Sequence, residues 1–352
     1  MVLYQLQSLK IAAKRLVPSK FAYHKSLPEQ NRTDMPKSSD SKSRIAWVQM
    51  FRILVAIFVV AAIAYTVWKS ASQLRENEFD FRSVAWIWWV CSLACYIGTL
   101  ACSCLFWHRV LLAFNQRPRI VDSFLAFFAS QLGKYIPGKA MVVVIRTDLI
   151  RGDQVKTGPA AASVFVETLT WIFVGSAIAS LLLIFRFRDQ LALQVTAGVL
   201  TLAAGALTWP PLFRRIALKV GGIGGKKIVK TFDGLSLKTM VFGWGLLAVG
   251  WCLNGFSLWL VLRGLPETNV TWSDYPLALA CVSLATVAGF VSLLPGGIGV
   301  RELVMIPLLG ARFGSVNAIV AAVVIRVVWL AAELLTSGVI YLFRRSITRL
   351  FP

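Results

Sequence analysis

Charge is what this sequence has least of. Only 15% of its 352 residues are Asp, Glu, Lys or Arg, against 57% hydrophobic, whereas soluble globular domains carry about 25% charged residues. Mean hydropathy is +0.69, which excludes a soluble enzyme. Acidic residues are scarcer still: 16 Asp+Glu stand against 37 Lys+Arg, for a net charge of +21. No soluble segment large enough to fold carries a nucleic-acid recognition motif, so no nucleic-acid partner is expected. The basic residues instead crowd into loops and tails that flank apolar runs, where anionic lipid head groups supply the counter-charge.

Histidine is also nearly absent, with only His24 and His108, and the six cysteines all lie inside apolar runs. A tetrahedral metal site needs four converging ligands with supporting partners. Cys91, Cys95, Cys102, Cys104, Cys252 and Cys281 therefore read as small buried hydrophobes; neither a metal nor a cofactor is expected, and a secreted disulfide scaffold is excluded. Residues 1–44 contain no apolar core long enough for a cleaved signal peptide. Leu6, Leu9, Ala13 and Leu16 recur at helical spacing, which suits a short amphipathic helix on an anionic membrane surface. The Ser-, Pro- and Lys-rich stretch 18–44 reads as a tether.

What the sequence has in abundance is membrane-length apolar runs. Five of them, at about 45–68, 84–107, 158–185, 239–262 and 316–343, suffice to cross a hydrocarbon layer of about 30 Å as helices. A sixth, 190–209, is shorter but still sufficient. Two further regions break at their centres: 120–150 at Lys134-Tyr135-Ile136-Pro137-Gly138-Lys139, and 276–311 at Pro295-Gly296-Gly297-Ile298-Gly299. Proline removes a backbone donor and clashes with the preceding turn, so each helix stops there.

Loop charge assigns the sides. The tail before the first span carries nine Lys+Arg, the 210–238 loop carries seven against Asp233, and the C-terminal tail carries Arg344, Arg345 and Arg349. All three segments, and with them both termini, belong in the cytoplasm. They fall on one side together only if each broken region dips in and returns. The expected fold is thus an all-α polytopic membrane protein with about six crossing helices and two re-entrant helical hairpins. Residues 45–345 form the membrane domain and 346–352 a short tail. Within the domain, 84–185 and 239–343 read as half-repeats of inverted topology, an arrangement transporters use to build a site at the bilayer midplane.

Irregular backbone at membrane depth must be buried in protein or line water. The half-helix after each break presents free amides and a partial positive charge to the interior, which favours an anion such as phosphate. Lys134, Lys139 and Arg146 add charge near the first break and Arg301 near the second. Glu167 lies inside the 158–185 helix, Arg326 and Glu333 share a face of the last helix, and Glu302 adjoins Arg301. Each would cost about 2.5–3.5 kcal/mol unpaired at the membrane centre, so they must pair or face water. Tyr135 lies within the first break, where it can line a cavity. A structural ion-pair network is the competing reading of the same residues.

Gln131-Leu132-Gly133-Lys134-Tyr135-Ile136-Pro137-Gly138-Lys139 followed by Arg146 resembles the first signature of the lysylphosphatidylglycerol synthase transmembrane region, also called the flippase-like domain family. Leu294-Pro295-Gly296-Gly297-Ile298-Gly299-Val300-Arg301-Glu302 resembles the second. The resemblance spans roughly 45–345 and implies lipid translocation between leaflets. The resemblance does not extend to the soluble aminoacyl-transferase domain of the bifunctional members, so it does not imply synthesis of a lysylated lipid. The family's Glu-Arg pair, with an Asp further along, is also altered: Glu167 is followed by Thr168, and Trp171 takes the later place.

The expected function is a non-enzymatic transporter in a bacterial inner or plasma membrane. It would move an anionic phospholipid or polyprenyl-phosphate-type lipid through a polar midplane cavity. Its substrate-binding residues would be Lys134, Tyr135, Pro137, Gly138, Lys139, Arg146, Glu167, Pro295, Gly296, Gly297, Gly299, Arg301, Glu302, Arg326 and Glu333. No nucleotide-binding loop is present, so transport would be facilitated or ion-coupled. The rivals are a membrane-embedded lipid transferase, for which Asp148 and Asp153 are the available carboxylates, and a non-catalytic lipid-binding subunit of a synthase. A lipid-synthesising partner and a homo-oligomer both remain open.

Overall fold

The computed structural model describes residues 83–350 except 136–139, most of 187–233 and the single positions 267, 293 and 298. The expected surface helix, the tether and the first span at 45–68 lie outside the described residues. So does most of the sixth run at 190–209. The described residues are helical, with eight α-helices.

Four helices are long. α1 (Trp86–Ala113), α4 (Thr157–Arg186), α5 (Leu237–Arg263) and α8 (Ser315–Leu350) have 27 to 36 residues, or about 40–54 Å at 1.5 Å per residue. They match the expected runs and are apolar all round, as helices surrounded by lipid and protein must be. Two helices of 11 residues, α2 (Ile120–Ser130) and α3 (Ala140–Ile150), flank the first break. At about 16 Å each, neither can cross a bilayer alone, and they pack against one another.

The second broken region is less symmetrical than expected. α6 (Tyr275–Val291) and the 3-10 turn Trp272–Asp274 before it together form a run long and apolar enough to cross. α7 (Val300–Phe313), with 14 residues, is not. Five helices in the described residues thus have membrane-spanning length and composition. A capping box explains the early start of α6: Thr271 and Asp274 exchange side-chain and backbone hydrogen bonds, and Arg312 clamps the Asp274 carboxylate at 2.8 and 3.3 Å.

Small residues let α1 and α5 approach closely, as in membrane helix pairs generally. A Cβ at Gly243 would sit 2.0 Å from the Phe106 ring, and one at Gly250 would meet Cys102. Ser92 bonds Ser257, and Thr99 bonds the Gly250 carbonyl, so polar groups also join the two helices. Cys102, Cys104 and Cys281 are buried as small core residues, whereas Cys91 and Cys252 face outward.

The packing pattern is almost unchanged when the halves α1–α4 and α5–α8 are exchanged. α1 packs on α5, α4 packs on α6, and correspondingly α8 packs on α2. α1 touches both α4 and α8, and α5 touches the same two. The two breaks also meet one another, at the turns Gln131–Tyr135 and Pro295–Gly297.

Candidate functional site

The second break is written in glycine. Gly296, Gly297 and Gly299 have φ of 59°, 68° and 85°, a region L side chains avoid and glycine enters freely. α7 follows the turn directly, with Arg301 and Glu302 in its first turn. Glu302 then straps the turn: its Oε2 accepts the Gly299 N–H at 2.9 Å, and its Oε1 pairs with Arg326 Nε at 2.6 Å. Arg326 also donates to the Gly296 carbonyl at 3.4 Å. Glu302 is therefore held by a residue of α8 rather than by its neighbour Arg301.

Arg326, Trp329 and Glu333 sit three and four residues apart on α8, which puts them on one face. Trp329 stacks on Tyr96 of α1, centroids 5.0 Å apart, and the Arg301 guanidinium lies 5.5 Å from its ring centre. Glu333 is fully buried. Its Oε1 accepts from the Tyr96 hydroxyl at 2.6 Å and pairs with Lys134 Nζ, which also donates to Tyr96 at 3.2 Å. The Lys134 ammonium lies over Tyr135 as well. A Cβ on Gly296 would stand 3.3 Å from the Tyr135 ring, so the two breaks touch where these charges gather.

Two polar atoms in this cluster are buried with no hydrogen-bond partner among the described residues: Arg301 Nε and Glu333 Oε2. No carboxylate lies within 4 Å of Arg301 among the described residues. The arginine stem occupies room kept by two glycines, for a Cβ at Gly289 would lie 2.8 Å from its Cγ and one at Gly297 would lie 3.0 Å from its Nε. Among the described residues the cluster holds three cations, Lys134, Arg301 and Arg326, against two carboxylates, Glu302 and Glu333. Lys134 and Glu302 keep 23% of their side-chain surface exposed. The site is cationic and partly open, and buried groups of this kind bind anions through charge-assisted hydrogen bonds.

Arg146 and Glu167 pair elsewhere. Arg146 Nη1 meets Glu167 Oε2 at 3.0 Å, and its Nε donates to Ser130 at 2.9 Å. The guanidinium lies 4.1 Å from the Phe127 ring centre and 5.1 Å from that of Trp107, whose indole N–H bonds Ser163. Their side chains are only 3% and 9% exposed.

The structure thus gathers Lys134, Tyr135, Gly296, Gly297, Gly299, Arg301, Glu302, Arg326 and Glu333 around one junction and sets Arg146 and Glu167 apart. Pro295 begins the turn of the second break. Pro137, Gly138 and Lys139 lie outside the described residues. Asp148 pairs with Arg151 at 2.9 Å, and Asp153 is exposed.

Two members of the junction escaped the sequence reading. Tyr96 lies in the middle of an apolar run, and the signal was its hydroxyl, which needs a partner when buried. Trp329 is one of many tryptophans within apolar runs, and the signal was its place between two charged residues on one helix face; it is buried in the stack.

No curated protein matches the chain. A model of the lysylphosphatidylglycerol synthase TM region matches residues 49–335, a stretch that takes in both breaks and every residue of the junction. The chain belongs to the family of the lysylphosphatidylglycerol synthase transmembrane region.

Proposed function

We propose that this protein is a lipid transporter that carries an anionic head group past the junction of the two breaks while the acyl chains stay in the bilayer. The observation that carries the reading is Arg301, a half-buried arginine whose buried Nε has no partner and which meets no carboxylate among the described residues, beside Lys134 and Arg326 at a point where irregular backbone meets irregular backbone. A cation at this depth is costly unless it serves a pathway, and a phosphate oxygen supplies the missing acceptor. In this reading the α2–α3 pair and the shorter α7 arm enter the membrane without crossing. The two halves are inverted copies, which fits their exchangeable packing. The transporter works without catalysis of its own, with both termini in the cytoplasm.

The test uses the full chain in proteoliposomes carrying fluorescent phosphatidylglycerol, with a membrane-impermeant quencher added outside. Transport raises the quenchable fraction above one half, and Arg301→Ala abolishes the rise while leaving folding near normal. Protein-free rates at every protein density, or a chemically altered lipid product, would overturn the proposal.

A further inference from the structure

Lys134 has two claimants. Its ammonium already serves Glu333 Oε1, and it is also one of the cations at the anion site. We infer that the anion and a proton bind together, the proton going to Glu333. The inference rests on the transport reading above, and it names the second species carried.

The argument begins with the surroundings of Glu333. α1 presents Tyr96, and the first break presents Lys134 and Tyr135. α7 presents Arg301, held over Trp329 one turn away on α8. Arg326, on the same face of α8, is engaged by Glu302. From α2 the charged group is Asp122, half-buried and paired with Arg119 near the helix start. The α5 charges, Lys238 and Arg263, lie at its two ends. Lys134 is therefore the single cation in direct contact with Glu333 among the described residues.

An anion that arrives at Arg301 and draws the Lys134 ammonium toward itself strips Glu333 of that partner. A fully buried carboxylate without a compensating cation is costly, and it becomes neutral by taking a proton. Oε2, which has no hydrogen-bond partner among the described residues, is available to hold it: protonated there, Glu333 keeps Oε1 as acceptor for Tyr96 and gains an O–H that can donate to the bound anion. One negative charge and one proton enter, so the step is electroneutral. When the anion leaves, Lys134 returns to Oε1 and the proton departs.

The experiment titrates short-chain phosphatidylglycerol onto the purified full chain in weakly buffered detergent containing a pH-sensitive dye. About one proton disappears from solution per lipid bound. The phosphodiester keeps its charge across the neutral range, so the apparent Kd rises about tenfold per pH unit wherever one proton is taken up, the slope that linkage requires. Glu333→Gln binds without proton uptake and with a flat pH profile. Because that variant could fold poorly, the wild-type pH slope stands as an independent measurement. Binding with no proton uptake and no slope overturns the inference and leaves the transport reading intact. Absence of binding at every pH overturns both.

Discussion

Two buried glutamates, each in a long helix and each facing a cation from the first broken region, behave differently. Glu167 meets Arg146 in a closed box: two aromatic rings cover the guanidinium, Ser130 takes its Nε, and Thr168 adds a bond to the carboxylate. Glu333 meets Lys134 in an unfinished arrangement: among the described residues one of its oxygens has no partner, and nearby Arg301 has no carboxylate. Burial is common to both, so burial does not separate scaffold from function. A buried polar atom without a partner does: among the described residues Glu333 Oε2 is one, and neither Glu167 nor Arg146 has one. A pair without such an atom gains little from a ligand, whereas one that has it gains when a ligand completes it.

The largest effects test that contrast directly. Arg146→Ala leaves Glu167 charged and buried and is expected to cost about 3–5 kcal/mol, seen as a large fall in the unfolding temperature of the purified protein. Replacing both partners, Arg146→Met with Glu167→Leu, should recover most of the stability and near-normal transport per folded molecule. Arg301→Ala is the mirror image. It should lower transport at least tenfold but cost only about 0.5–1 kcal/mol, the scale of its contact with Trp329. Wild-type stability in Arg146→Ala, or collapse in Arg301→Ala, would erase the distinction between the two regions.

A smaller effect concerns the backbone that brings the breaks together. Gly296→Ala places a Cβ on a left-handed residue and against the Tyr135 ring. The conformational cost is about 1–2 kcal/mol. Transport should fall further than that loss of stability explains, because the displaced Tyr135 is bonded in sequence to Lys134. The informative measurement is transport per folded molecule, alongside Gly299→Ala. Position 299 has a similar φ but nothing within 4 Å of its Cβ, so its effect should be confined to stability.

What was legible in the sequence follows from how local each signal is. The spans were readable because α1, α4, α5 and α8 are uninterrupted apolar runs, and the breaks because Pro-Gly cannot continue a helix. Arg326 and Glu333 could be placed on one face by helical period alone. Their partners could not, since Lys134 and Glu333 lie 199 residues apart and Tyr96 and Glu333 lie 237 apart. Adjacency even misled: Glu302 follows Arg301 in sequence, but capping Gly299 turns its carboxylate toward Arg326. The turn Trp272–Asp274, which lengthens α6 to a crossing run, went unseen for a similar reason. It depends on the Asp274 cap and on Arg312, 38 residues away from Asp274.

The finest test lies in a single hydroxyl. Tyr96→Phe keeps the ring on Trp329, so the stack that carries Arg301 survives, and only the bond to Glu333 Oε1 and the acceptor for Lys134 are lost. If Glu333 sits in an adjustable arrangement, Lys134 closes the gap and the stability loss stays at about 1 kcal/mol, the scale of one hydrogen bond. Transport should then drop severalfold, well short of Arg301→Ala. Tyr96→Leu removes the stack as well and should approach the Arg301→Ala level, since the guanidinium then loses the surface that orients it. If Tyr96→Phe destabilises as severely as Arg146→Ala, the Glu333 arrangement is as rigid as the Glu167 box. A rigid arrangement could not exchange its lysine for an anion, and the difference between the two glutamates would vanish.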